Sequence, residues 1–298
     1  MTERAANDVA AADLPPAPQS PLLRLRIFQI RALASLLNSI GTRSTGRTLI
    51  AHLRSIPLIR SLLDTCLGYR RVFPSFAAAQ TYGSRYIQAG HEHPDDVRFH
   101  ASIADTVRES DYPVLFHLAP LASELRYVFD LGGNVGNLFY AYQRKIDFPA
   151  TLVWTVYDLP AKRPAGEKLA ATRRETRIRF SNSLGDASGS DVLIASGSLH
   201  YFEKPLHEML RPLRDLPRHI FINRTPCCSQ IDLVTVQDNR SYLVPCKLHS
   251  RSNLISGLHG LGYELVSDWP VYERRLSVPT HPDLCERTYS GFYFRRTS

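Results

Sequence analysis

Apolar residues recur at helical spacing near the start of the chain. Leu22, Leu25, Leu33, Leu36, Leu37 and Ile40 predict a helix over 22–40. A second helical pattern runs from Leu49 to Leu63, interrupted by Pro57, and 76–88 reads as helix or helix-loop. From Arg126 the pattern changes to short apolar runs that end in glycine, acid or hydroxyl residues: "RYVFDLGG", "LVWTVYDLP", "IRFSNS", "DVLIASGS" and "RHIFINRTP". Helix-compatible segments lie between them at 138–145, 165–174 and 206–213. Strands alternating with helices at this pace predict a parallel α/β sheet with helices on both faces. The end differs: "SNLISGLHGLGYELVSDWP" is a helix, a break at Gly262 and a strand, and "YSGFYFRR" is a last strand. Two late strands suit a sheet closed by a terminal antiparallel hairpin. "IDLVTVQ" and "SYLVPCKL" read as a further hairpin or lid inserted after the fifth strand.

The chain has 298 residues, 44% of them apolar, enough for one large core with extra helices. The expected division is a disordered Ala/Pro-rich tail over 1–20, a basic helical region and cap over 21–115, and the sheet domain over 116–298 with its hairpin near 229–248. No apolar run reaches membrane-span length, and the first residues lack the pattern of a secretory signal. The net charge of +8 is unevenly placed. Residues 21–71 hold nine arginines, no lysine and one acid, Asp64, and so carry +8 by themselves. Such a segment reads either as a helical cap with solvated arginines or as an attachment to an acidic membrane surface. No aromatic-interleaved basic patch supports nucleic-acid binding. Five cysteines, an odd number with Cys227 and Cys228 adjacent, argue against a disulfide framework and for a reducing cytoplasm. Cys227, Cys228, Cys246 and His249 lack the spacing of a metal set and read as buried structural residues, and "HEH" at 91–93 reads as a polar loop.

The candidate chemistry starts at "VFDLGGNVG". A dinucleotide-binding G-x-G-x-x-G aligned on Gly133 and Gly136 would need a glycine at Leu131. Asp130, Gly132, Asn134 and Gly136 instead match the acid-x-G-x-G-x-G loop of class I S-adenosylmethionine (SAM) methyltransferases. One glycine is replaced by asparagine, the side chain that best tolerates left-handed backbone angles. Asp158 ends the second strand, where a carboxylate can accept from both hydroxyls of a ribose. Ser196, Gly197 and Ser198 leave room at the end of the fourth strand, on the sheet edge where open α/β sheets bind ligands.

"VFDLGGNVG", "VYDLP", "LIASGSLHYFE" and "FINRTP", in that order, resemble a family of bacterial methyltransferases of the class I SAM-dependent kind, associated with surface-polysaccharide genes. The resemblance covers residues from about Phe76 onward and extends to small-molecule O-methyltransferases. It implies a Rossmann-like, mostly parallel seven-stranded sheet with SAM as cofactor, held by Asp130, Gly132, Gly133, Asn134, Gly136, Asp158, Leu159, Ser196, Gly197 and Ser198. Gly185–Asp186, or Asn182 and Ser183, match the position that meets the adenine in such enzymes. His200 matches a general base, although the aspartate and tryptophan that follow it there are Tyr201 and Phe202 here. The acceptor implied is a small-molecule or glycan hydroxyl, with Tyr82, Arg85, Tyr201, Asn223 and Arg224 as substrate-side candidates. An NAD(P)-dependent sugar enzyme, and a non-catalytic scaffold of the same fold, are the competing readings.

Overall fold

The computed structural model describes residues 21–40, 44–53, 56, 59, 69–84, 105–229, 231–238, 243–276, 278 and 288–297. The expected tail over 1–20, the polar loop at 91–93, Arg85, Cys66 and Cys285 lie outside them. The chain divides into two compact units.

The larger unit holds a seven-stranded sheet. Its strands are β2 (Tyr127–Leu131), β3 (Val153–Tyr157), β4 (Ile178–Ser181), β5 (Val192–Ser196), β6 (His219–Thr225), β10 (Tyr263–Arg275) and β11 (Thr288–Arg296), in the order β10-β11-β6-β5-β2-β3-β4. Neighbours from β6 to β4 are parallel, whereas β11 runs antiparallel to both β6 and β10. This is a Rossmann-like sheet, mostly parallel and closed by an antiparallel hairpin, as the apolar runs predicted. The central strands are buried on both faces: Val128, Phe129 and Leu131 on β2, and Leu193, Ile194 and Ala195 on β5, have no exposed surface. That double burial explains runs of apolar residues without period-two alternation. One core cluster joins Phe129, Leu193, Ile220, Phe292 and Leu258. The helices are α4 (Asp111–Leu118), α5 (Asn137–Tyr142), α6 (Arg163–Arg173), α7 (Leu206–Leu210) and α8 (Arg251–His259). Between β4 and β5 a four-residue 3-10 turn, Leu184–Ala187, stands in place of a helix. Pro270 is tolerated within β10 because that strand is the sheet's edge.

Sequence neighbours of β2 lie on opposite sides of it: β3 and β4 on one flank, β5 and β6 on the other. The topological switch point therefore falls between β2 and β5, so a ligand crevice belongs at their carboxyl ends.

The smaller unit contains α1 (Pro21–Ile40), α2 (Ser44–Leu53), β1 (Tyr69–Phe73), α3 (Phe76–Ser84), β8 (Leu233–Asp238) and β9 (Leu243–Ser250). The hairpin expected after the fifth strand forms, with Leu233 opposite Leu248 and Asp238 opposite Leu243. It is not an isolated lid: β1 pairs antiparallel with β8, Val72 opposite Thr235, in a sheet ordered β1-β8-β9-β7 whose fourth strand is Cys227–Cys228. The five-residue "YRRVF" gave no strand signal by itself because its partner lies about 160 positions further along the chain. Cys227, Cys228 and Cys246 are buried thiols without disulfides, and among the described residues no cluster of His, Cys, Asp and Glu is placed to hold a metal.

Candidate functional site

The glycine loop leaves β2 and is stitched to β3 on both sides of Gly133. Gly132 N–H donates to the Tyr157 carbonyl at 2.7 Å, and Asn134 N–H donates to Asp158 Oδ2 at 2.7 Å. Asp158 Oδ1 accepts from Leu159 N–H, also at 2.7 Å, so two backbone donors hold this carboxylate at the loop. Asn134 adopts φ 56, the left-handed conformation expected for the residue replacing a glycine.

Small residues in the loop are required by what surrounds them. A Cβ on Gly133 would lie 2.4 Å from Asp130 Oδ2, and one on Gly132 would lie 2.3 Å from Ser198 Cβ. Ser198 in turn donates its hydroxyl to the Leu131 carbonyl, tying the β5 loop to the end of β2. Gly132 has φ +75 and Gly189 has φ +72, but around Gly189 an added Cβ meets nothing within 4 Å. Gly189→Ala should therefore cost only the left-handed penalty, about 1–2 kcal/mol. Gly132→Ala should cost that plus about 1–3 kcal/mol of overpacking. Urea titration of the two variants measures the difference, and equal losses would show that the loop yields to the methyl group.

Asp130 is the electrostatic centre of the site. It is 1% exposed, and its Oδ2 accepts from Trp154 Nε1 at 3.2 Å while, among the described residues, Oδ1 has no hydrogen-bond partner. Burial raises its pKa to about 7; the neighbouring Asp158 adds to the rise, and the Trp154 hydrogen bond and Arg224 oppose it. Asn134 Oδ1 in the loop and Ser196 Oγ at the end of β5 are also buried and without a partner among the described residues. Buried polar atoms are normally bonded, and these three lie at the carboxyl ends of β2 and β5, the edge where open α/β sheets bind ligands.

On the far side of β5, a polar network packs α4 against β6. Arg224 Nη1 donates to Asp111 Oδ1 at 2.7 Å and to Ser110 Oγ at 3.1 Å. Asn223 Nδ2 donates to the Ser110 carbonyl at 3.0 Å, and Asn223 Oδ1 accepts from Trp269 Nε1 at 3.2 Å. Ser110 donates its hydroxyl and N–H to Glu273, Tyr142 donates its hydroxyl to Asp111, and Arg108 N–H donates to Asp111. Burial raises the Glu273 pKa, but the Ser110 bonds and Arg224 outweigh it, leaving this carboxyl below its ordinary value. Burial, with Arg224 and Arg274 nearby, lowers the pKa of Arg108. Arg224 itself sits at φ 52, a strained angle for arginine that this network maintains.

The network engages two of the substrate-side candidates. The Asn223 side chain is wholly buried, its amide bonded to Ser110 and Trp269. Arg224 pairs with Asp111, although among the described residues only Nη1 of its three nitrogens is bonded. Asp111, Ser110, Arg108 and Glu273 were not singled out from the sequence, because nothing in "RESDYP" or "YERR" signals pairing across more than a hundred residues.

His200 lies on the 3-10 turn Leu199–Tyr201 directly after β5 and is 2% exposed, its ring 4.0 Å from that of Tyr201 and 6.1 Å from that of Tyr289. The adenine candidates follow β4. Asn182 and Ser183 are exposed, and the Asp186 carboxylate accepts from the chain's own Ser181 hydroxyl at 2.5 Å. Asp186 lines a groove of about 440 Å³ with Tyr127, Thr155 and Arg179, a set containing no residue of the glycine loop. Leu159 is partly exposed beside Asp158. Tyr82 belongs to the smaller unit, buried with Ala79, Val236 and Leu243 and packed on Phe73.

Comparison with known proteins gives no matching family model and no matching curated protein. Among solved structures, the chain is similar to 1,6-didemethyltoxoflavin-N1-methyltransferase from Burkholderia thailandensis. The identity is 18% over 77% of this chain and 95% of that one, with a TM-score of 0.46. An O-methyltransferase family protein from the same organism is 16% identical over 69% of this chain, which spans only 61% of that protein, with a TM-score of 0.45. The N-terminal domain of EvdMO1, solved with S-adenosylhomocysteine (SAH) and D-fucose, is 10% identical over 70% of this chain and 100% of that one, also at 0.45. Similarity of this order assigns no activity, so the functional reading rests on this chain's own residues.

Proposed function

We propose that the chain is a SAM-dependent methyltransferase acting on a hydroxyl of a small-molecule or glycan acceptor. The observation that carries this reading is the unbonded Asp130 Oδ1, buried beneath Gly133. A dinucleotide would bring a pyrophosphate to this loop, and a carboxylate there would repel it. The amino-acid end of SAM brings an ammonium, which a buried carboxylate accepts. The same end brings a carboxylate, and Arg224, with Nε and Nη2 unbonded among the described residues, and Arg108 supply positive charge for it. Asp158 would hold the ribose, and Ser196 Oγ and Asn134 Oδ1 supply further polar contacts.

When bound, the sulfonium supplies an activated methyl group, so the protein's task is alignment and proton removal. His200 stands at the carboxyl end of β5, one strand from the glycine loop. In this reading it accepts the proton of the acceptor hydroxyl, and Tyr201 beside it contacts the acceptor. The surface-polysaccharide resemblance favours a sugar or glycolipid acceptor, and the cysteine usage favours a reducing cytoplasm.

Calorimetry should show binding of SAH and none of NADH. Cell-envelope extract incubated with labelled SAM should yield a labelled product. With His200→Ala the labelling rate should fall about 10²–10⁴-fold while SAH affinity is unchanged. Binding of NADH alone would replace this reading with the dinucleotide one, and binding of neither would leave the scaffold.

A further inference from the structure

The long first helix exposes an apolar stripe interrupted at its centre by Gln29. Leu22 is 77% exposed, Phe28 69% and Leu36 57%, and Leu25, Leu33 and Ile40 are also exposed. On a helix of 3.6 residues per turn, Leu22, Leu25, Leu33, Leu36 and Ile40 share an arc of about 80°, with Phe28 about 60° beyond its edge. The side of the helix adjoining Leu33 meets α2: Leu37 packs on Ile50 with Leu53 and Ile59. Singly scattered surface leucines need no explanation, but six large apolar side chains along one helix do.

The charge of the segment limits what can cover this stripe. α1 contains Arg24, Arg26 and Arg31 and no acid, and residues 21–71 carry nine arginines against Asp64. Pairing with a second copy would bring two such segments, each of net +8, against one another. An anionic surface is complementary instead. Among the described residues no helix is long and apolar enough to cross a membrane, so α1 would lie in the plane of the interface rather than span it. At 20 residues it extends about 30 Å, enough to seat all six side chains at once.

We propose that α1 is an interfacial helix that seats this chain on anionic phospholipid. Apolar side chains enter the acyl boundary, and the net positive charge of residues 21–71 attracts the anionic headgroups. This assignment is independent of the chemistry of the larger unit.

Flotation of the full chain with phosphatidylcholine vesicles, with and without phosphatidylglycerol, tests it. The chain should float with the anionic vesicles about tenfold or more better than with the neutral ones, and added salt should weaken that binding. Leu25→Glu with Leu36→Glu should abolish flotation while leaving the thermal unfolding midpoint unchanged, since both positions are exposed. Failure to float, or equal flotation on neutral vesicles, would overturn the proposal. So would a dimer in light scattering that the double substitution converts to monomer, because the stripe would then be a contact between copies.

Discussion

Arg224→Ala should lower the unfolding free energy by about 3–5 kcal/mol, the cost of leaving a buried charge without its partner. Asp111 is 1% exposed and accepts from Arg224 at 2.7 Å, so water cannot replace the lost guanidinium without opening the packing of α4 on β6. The loss should be largely recovered when Asp111 is also replaced, as in Asp111→Asn with Arg224→Met, because the double variant buries no charge. Urea denaturation of the two single variants and the double one measures this coupling. Additive losses would mean that the pair contributes nothing as a pair, and that the link between Ser110 and Glu273 holds α4 by itself.

The second large effect is a pH dependence centred on Asp130. Its pKa in the folded protein is raised to about 7 by burial, against 3.8 for the unperturbed group. Between those values the folded protein holds more protons than the unfolded chain, so stability falls as pH rises from about 4 to 7 and levels off above. The full span corresponds to roughly 4 kcal/mol. Asp130→Asn removes this component, so the variant should lose less stability than the parent between pH 5 and pH 8, as thermal unfolding at several pH values will show. Parallel pH profiles would refute the assignment. An ammonium bound at Oδ1 would favour the charged carboxylate. SAH affinity should therefore rise with pH through 7 in the parent, with proton release detectable by calorimetry in buffers of different ionisation enthalpy. Asp130→Asn should weaken SAH by about 30-fold or more and flatten that profile.

Much of the larger unit was legible because its elements are local and its burial is two-sided. The run "YVFDL" reads as a buried strand because it alternates with helical segments, and "LGGNVG" after it reads as a loop at the carboxyl edge. Asn134 at φ 56 bears out the tolerance that let asparagine stand for a glycine. The first helix was also readable from leucine spacing, but its exposed stripe was not, since periodicity says that a face is apolar and not whether anything covers it. His200 follows the fourth apolar run in the sequence, while its edge-on contact with Tyr289 depends on β11, nearly ninety residues later.

The sequence by itself determined the order of strands along the chain, the glycine loop and the acid at the end of the next strand. Each of these is a matter of neighbouring residues and of backbone angles that only certain side chains accept. Tertiary structure alone decided that β1 joins the distant hairpin, that Asn223 is spent on Ser110 and Trp269, and that Arg224 meets Asp111. It also decided that Asp130 keeps one oxygen unbonded. Pairing across a hundred residues leaves no periodic trace, because an arginine that will find a buried carboxylate reads the same in the chain as one that will face water.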